Sequence, residues 1–308
     1  MSKILVTGGA GFIGSSLVDK LINDGEDVVI VDNLYSGKES YLNPKAKFYN
    51  IDICDEKIED IFSEEKFDYV CHLAAQIDVR KSVEDMEFDN KVNILGSINI
   101  LENCNKFGVK KIVFASSGGA AYGFPEVIPT PETYPTNPIS PYGINKLSFE
   151  KYLNYFYKVF GQKYTALRLA NVYGPKQYKG GEAGVVAIFS SNAVLGKKSY
   201  VNGDGLQTRD YTYVDDIVSA FILAIKNEFV GVLNIGTGVE KNLLDIISAI
   251  ESSFDGKMDI EHQEAKLGEE RRSALDNSLA RDNILWEPKI SLEEGIKRTI
   301  EWTKGSLN

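Results

Sequence analysis

The sequence predicts an α/β protein built on a doubly wound parallel sheet, with a smaller, discontinuous α/β lobe attached to it. Three observations predict this. A glycine-rich turn joins an apolar run to a helical pattern near the N-terminus. Later apolar runs repeatedly end in small or polar residues, and helical periodicities separate them.

The first unit carries the most information. Ile4 to Thr7 form a short, largely β-branched run, followed by Gly8-Gly9-Ala10-Gly11-Phe12-Ile13-Gly14. Leu17, Val18, Leu21 and Ile22 then recur at the spacing of one helix face, and Val28 to Val31 form a second run ending at Asp32. Strand, glycine turn, helix, strand is the context a phosphate-binding loop requires. Gly8 permits the tight turn, Gly11 lets the backbone approach a pyrophosphate, and Gly14 lets helix and strand pack closely. The helix start at Phe12 and Ile13 offers unpaired N–H groups to anionic oxygens. The expectation is a Rossmann-type dinucleotide site.

Asp32 decides which dinucleotide. At the end of the second strand its carboxylate can accept hydrogen bonds from both adenosine ribose hydroxyls, and it would repel the extra phosphate of NADP. The following Asn33-Leu34-Tyr35-Ser36-Gly37 contains no compensating arginine. NAD is therefore the expected cofactor.

Further βα units follow. Lys47-Phe48-Tyr49 leads to Asp52-Ile53, with Asp52 a candidate partner for the adenine amino group. Tyr69 to Leu73 ends at Ala74-Ala75-Gln76, small residues that let the chain pass close to a cofactor. Ile112 to Ala115 ends at Ser116-Ser117-Gly118-Gly119. Strands that end this way indicate a ligand groove along the carboxyl edge of the sheet. Asn93, within a predicted helix, is a candidate for organising that groove.

Ser140-Pro141-Tyr142-Gly143-Ile144-Asn145-Lys146 precedes a long helical pattern of Phe149, Tyr152, Leu153, Phe156 and Phe160, read as core or partner-helix contacts. A helix beginning near Pro141 puts Tyr142 and Lys146 one turn apart on one face. Lys146 can then hold the nicotinamide ribose and favour the phenolate of Tyr142, since an ordinary phenol is a poor base at neutral pH. Ser117, at the end of its strand, can polarise a substrate oxygen while Tyr142 exchanges the proton.

Composition narrows the alternatives. The 308 residues suffice for one large domain or two modest ones, and a formal net charge of −10 disfavours nucleic-acid binding. Cys54, Cys71 and Cys104 are widely spaced and read as reduced core thiols. His72 and His262 lack metal-ligand spacing, so no metal is expected. No run of 18 apolar residues occurs and the N-terminus carries no signal-like region, so no membrane association and a cytoplasmic location are expected.

With these motifs together, the chain resembles the extended short-chain dehydrogenase/reductase family, in its NAD-dependent sugar epimerase/dehydratase branch, over nearly residues 1–305. The motifs are Thr7 to Gly14, Asp32-Asn33-Leu34, Leu73 to Gln76, Ser116-Ser117, Tyr142 to Lys146, Arg168-Leu169-Ala170-Asn171-Val172-Tyr173-Gly174-Pro175, and Gly203-Asp204-Gly205-Leu206-Gln207-Thr208-Arg209-Asp210-Tyr211 followed by Val214-Asp215-Asp216. The resemblance implies that Tyr142 is the acid/base residue, Lys146 its cofactor-linked partner and Ser117 the assisting hydroxyl, with Ser116 a rival for part of that role. It implies that Asn93 and Ser116 neighbour NAD, and that the cofactor also meets Asn33, Leu34, Ser36, Gly37, Asp52, Ile53, Leu73, Ala74, Ala75 and Gln76. Asn171, Gln207, Arg209 and Arg271 would hold the UDP part of a sugar nucleotide.

The implied activity is reversible inversion at C4 of a UDP-hexose through a transient 4-keto sugar, in a homodimer. Related 4,6-dehydratases commonly carry Asp-Glu where this chain has Gly118-Gly119, which argues against dehydration. Other epimerisation, decarboxylation, or an NAD-sensing scaffold without turnover remain the alternatives. Lys266 stands where relatives often have arginine, with Arg271 or Arg272 as possible compensation. Ser273 stands where epimerases restricted to nonacetylated sugars have tyrosine, which implies room for an N-acetyl group. The aromatic face after Tyr142, with Val92, Leu95, Ile98 and Leu101, is the expected dimer contact.

The domain division follows the same patterns. Residues 1–170 with a return segment 211–240 form the NAD-binding domain, and 171–210 with 241–308 the sugar-nucleotide domain. Gly180 to Gly184 reads as a flexible loop before Val185 to Phe189, which would pack beside the sugar nucleotide. The returning part contains a helix (Ile217, Ala220, Phe221, Ala224, Ile225) and a strand (Val232 to Ile235); Leu243, Ile246, Ile247 and Ile250 mark another helix.

Overall fold

A computed structural model describes residues 1–177, 184–254, 256–264 and 271–306. Among them lie strands β1 (Lys3–Thr7), β2 (Asp27–Asp32), β3 (Lys47–Asn50), β4 (Tyr69–His72), β5 (Lys111–Ser117), β6 (Tyr164–Leu169), β7 (Asn171–Tyr173), β8 (Ser199–Asn202), β9 (Thr208–Tyr213), β10 (Gly231–Ile235), β11 (Glu240–Asn242) and β12 (Ile260–Gln263). Seven of them form one parallel sheet in the order β10-β6-β5-β4-β1-β2-β3.

The apolar runs are continuous because both faces of this sheet are covered. Ile4, Val6, Val28 and Ile30 point to one layer, with the helices Phe12–Asn23 and Val214–Lys226. Leu5, Val29 and Val31 point to the other, with the helices Ile58–Glu65, Ser97–Lys106 and Pro141–Phe160. Chain order runs outward from β1 to β3 on one side and from β4 to β10 on the other. The crevice of such a sheet therefore opens at the carboxyl ends of β1 and β4. Thr7 and His72 end those strands, and the Thr7 hydroxyl lies 2.7 Å from His72 Nδ1.

The smaller lobe combines a three-stranded sheet, β11-β9-β7, with the pair β12-β8. Its helices Val185–Leu195, Leu243–Phe254 and Leu292–Ser306 pack on one another. The chain re-enters the large sheet through the helix Val214–Lys226 and β10, while Tyr211 to Tyr213 pair with Asn171 to Tyr173 in the small sheet. Gly184 precedes the helix Val185–Leu195 as its N-cap. Positions 178–183, like Lys266 to Glu270, lie outside the described residues.

One expectation about exposed residues fails. Leu95 is 62% exposed, but Leu101 is fully buried in the core. Residues three apart drift by about 60° per step around a helix, so Leu101, two steps beyond Leu95, is turned by about 120° from it. Leu101 therefore cannot belong to a contact face with Leu95.

Candidate active site

The glycine turn has the geometry that its sequence implies. Gly8 has φ +72°, and its N–H donates to the Val31 carbonyl at 2.9 Å. A Cβ there would meet the Ala74 backbone at 2.7 Å; one on Gly14 would sit 2.1 Å from the Gly8 carbonyl oxygen. Any side chain at either position would break the turn. Gly11 is the N-cap of the helix Phe12–Asn23 and no side chain caps that terminus, so no side chain takes up its first N–H groups. This cradle fits a dinucleotide pyrophosphate.

Asp32 closes the adenosine side. Its carboxylate is buried and accepts hydrogen bonds from the backbone N–H groups of Ala10 (3.0 Å) and Leu34 (2.8 Å), while burial pushes its pKa up. These bonds fix the carboxylate against the glycine turn. A Cβ on Gly37 would lie 2.9 Å from both Ala10 Cβ and Asp32 Oδ1, so only glycine lets that loop close down. Ser36 lies exposed beside it. Asn33 donates to Asp52 at 2.8 Å, linking the ends of β2 and β3, and Ile53 is buried behind them. Across β1, the N–H groups of Leu73 and Ala74 donate to the Thr7 hydroxyl at 3.2 Å. Ala75 and Gln76 continue this wall, and Asn93 Oδ1 accepts from the Gln76 N–H at 3.0 Å.

The helix Pro141–Phe160 begins with Ser140 accepting from the Gly143 N–H, and with proline in its first turn, where a missing N–H costs nothing. Tyr142 and Lys146 are thus one turn apart. Lys146 is buried, donates to the Ala115 carbonyl at 3.0 Å and stands 5.7 Å from the centre of the Tyr142 ring. Burial pushes the Lys146 ammonium down to about 8, with the charge of Asp89 opposing, so at neutral pH it remains mostly charged. Ala115 belongs to β5, which ends two residues later at Ser117.

The two serines are separated by their partners. Ser116 is buried and donates to Glu150 at 2.6 Å; Glu150 is also held by Arg168 at 2.7 and 3.0 Å. Arg168 in turn donates to the Tyr122 hydroxyl, and Tyr122 to Asn234. The Ser116 hydroxyl therefore donates inward and ties β5 to the helix Pro141–Phe160. Ser117 is half-buried and accepts from the Ala120 N–H at 3.3 Å, leaving its own O–H to donate. His72 is structural: it is fully buried between Thr7 and Ser97, and burial pushes its pKa down to about 3. Among the described residues, no group of His, Cys, Asp or Glu is arranged to hold a metal ion.

The residues expected to meet the substrate lie on or beside the strands of the small sheet. Asn171 is exposed at the start of β7, its side-chain oxygen nearest the open face of Gly119. Gln207 precedes β9, which carries Arg209, and Thr208 N–H donates to the Arg271 carbonyl at 2.9 Å. These substrate candidates therefore lie along one strand and its neighbour. Arg271 itself is 71% exposed and pairs with Asp204 at 3.4 Å; Arg272 makes two bonds to Glu240. Asp210, part of the same motif as Arg209 but given no role there, is buried and accepts from Thr237, Gly238 and Leu275.

Residues 4–236 match the NAD dependent epimerase/dehydratase family. The chain belongs to that family. Its members include the UDP-glucose 4-epimerase of Mycolicibacterium smegmatis, 43% identical over 97% of this chain and 98% of that one. The crystal structure of the Thermotoga maritima UDP-glucose 4-epimerase with UDP-glucose is 48% identical, covers 99% of this chain and all of that one, and has a TM-score of 0.97. The Thermus thermophilus UDP-glucose 4-epimerase in complex with NAD is 39% identical, with 99% of each chain covered and a TM-score of 0.92. The family's dependence on NAD agrees with the glycine cradle and Asp32 described above.

Proposed function

We propose that this protein is an NAD-dependent UDP-glucose 4-epimerase, interconverting UDP-glucose and UDP-galactose. The observation that carries the reading is Tyr142 one helical turn from the buried Lys146, which is bonded to β5 just before Ser117, beside a glycine cradle closed by Asp32. The extended likeness to UDP-glucose 4-epimerases supports the substrate class.

NAD, when bound, takes up the hydride from C4 and returns it. The chain's residues manage the proton and the geometry. Tyr142 removes the C4 hydroxyl proton, a step aided by the Lys146 charge that favours its phenolate. Ser117 donates to the same oxygen and stabilises the charge that develops on it. Asn171, Gln207, Arg209 and Arg271 hold the UDP part, so that the 4-keto hexose alone turns and presents its other face. Tyr142 then gives the proton back. Dehydration would need an acid pair after the strand-end serine, and a Cβ on Gly118 would meet Leu275 at 2.4 Å.

With the division 1–170 and 211–240 against 171–210 and 241–308, the sugar would lie between the two parts. A homodimer would cover the outer apolar stripe of the helix Pro141–Phe160, where Ile144, Tyr152, Tyr155 and Val159 are exposed, together with Leu95. The three unpaired thiols suit a reducing compartment such as cytoplasm. A side chain as small as that of Ser273, where related epimerases restricted to nonacetylated sugars have tyrosine, would leave room for an N-acetyl group, so UDP-GlcNAc is a further candidate substrate. Incubation with a panel of UDP-sugars, read by NMR, tests the reading: C4-inverted product of unchanged mass is expected, and a product that has lost water or carbon dioxide would overturn it.

A further inference from the structure

Asp89 has no part in the family motifs, yet it is fully buried between the two halves of the reaction machinery. Three side-chain amides converge on its carboxylate. Gln76 Nε2 donates at 2.7 Å and Asn93 Nδ2 at 3.0 Å, both to one oxygen, and Asn145 Nδ2 donates to the other at 2.6 Å. Gln76 belongs to the wall after β4, and its backbone is clamped from both sides by Asn93. Asn93 sits in a single π-helical turn, Lys91–Gly96, a geometry that often marks functional sites. Asn145 lies between Tyr142 and Lys146 on their helix.

We propose that Asp89 is a positioning residue for the epimerisation: it ties the Tyr142–Lys146 helix to the cofactor wall and faces the Lys146 ammonium with a buried negative charge. The inference rests on the assignment of Tyr142 and Lys146 made above. The amides that hold the carboxylate are neutral, so they stabilise its charge without cancelling it. Lys146 has Asp89 as the carboxylate acting on it; against it also lie the buried, neutral His72, the Phe114 ring, the Tyr142 phenol and the Ala115 carbonyl. An amide at position 89 would keep one acceptor oxygen and turn its NH2 on the donor or donors at the other end. Asp89→Asn therefore removes the charge and breaks part of the tie together.

The test compares Asp89→Asn with Asn145→Ala, using UDP-galactose turnover across pH, the NAD retained through gel filtration, and thermal melting as a check on folding. Asp89→Asn is expected to lower kcat about 10- to 100-fold with KM little changed, and to move the alkaline limb of the kcat profile down by about one pH unit. Asn145→Ala keeps the charge and cuts one tie; it should lower kcat about 5-fold and leave the limb in place. Retained NAD should fall in both. A folded Asp89→Asn protein with the wild-type pH profile overturns the proposal. If Asp89→Asn does not fold, wild-type kcat in Asn145→Ala overturns it instead. Tyr142→Phe run alongside separates the two readings, because turnover surviving in that variant would sink the site assignment itself.

Discussion

The cofactor side and the sugar side of the groove are built differently. Around the glycine turn, the polar groups are buried and mutually satisfied: Asp32 is held by two backbone N–H groups, Asn93 by Gln76, and Lys146 by the Ala115 carbonyl. On the sugar side, Arg271 and Arg272 stand in water, paired with Asp204 and Glu240. The first arrangement holds one geometry before any ligand arrives. In the proposed reading, the second offers cations whose partners would be exchanged for a ligand's phosphates. A cofactor retained through the cycle calls for the former, and a substrate that comes and goes for the latter.

Changes on the cofactor side should therefore cost much more than changes on the sugar side. The largest effect is expected from Tyr142→Phe, with turnover reduced about 10²- to 10⁴-fold while melting temperature and NAD content stay near wild type. Turnover within a few-fold of wild type would break the assignment. Gly14→Ala should follow, because its Cβ would collide with the Gly8 carbonyl; destabilisation of about 1–3 kcal/mol and loss of bound NAD are expected by chemical denaturation and cofactor assay. Asp32→Ala should weaken NAD about 10- to 100-fold, measured by calorimetry, and narrow the preference over NADP.

The pH dependence of stability provides a milder test. His72 has its folded pKa depressed to about 3, against an ordinary value of 6.5. Between these values the unfolded chain binds the extra proton, so stability is complete above about 6.5 and falls as pH drops toward 3. Urea midpoints should decline through that window, and less so in a folded His72→Asn variant. The smallest effect on folding is expected from Arg271→Ala: an unchanged melting temperature, with a few-fold rise in KM for the UDP-sugar. A large loss of stability there would erase the contrast between the two sides.

How far the sequence reveals this follows from the range of the interactions. The β1 unit is legible because its signals are local: a β-branched run, glycines, a helical face and an aspartate, all in one stretch. Tyr142 and Lys146 are legible because helix geometry converts spacing into proximity, and the strand-end Ser117 is found by the same logic. The roles of Ser116 and Ser117 could not be divided, since what separates them is Glu150 on another element. Asp89 reads as one more acidic residue in Glu84-Asp85-Met86-Glu87-Phe88-Asp89; its bond to Asn145 spans 56 residues. The strands β7 and β11 have three residues each, too few for any alternation to show. A spacing of three winds around the helix, so Leu95 is exposed while Leu101 is buried.

The central claim is a closed cycle, in which hydrogen taken from C4 is returned to C4. UDP-galactose carrying deuterium at C4, incubated with the NAD-loaded protein without added cofactor, tests it most directly by NMR of the product. The account predicts UDP-glucose with the deuterium retained at C4. Deuterium lost to the solvent, or found on released cofactor, would contradict it.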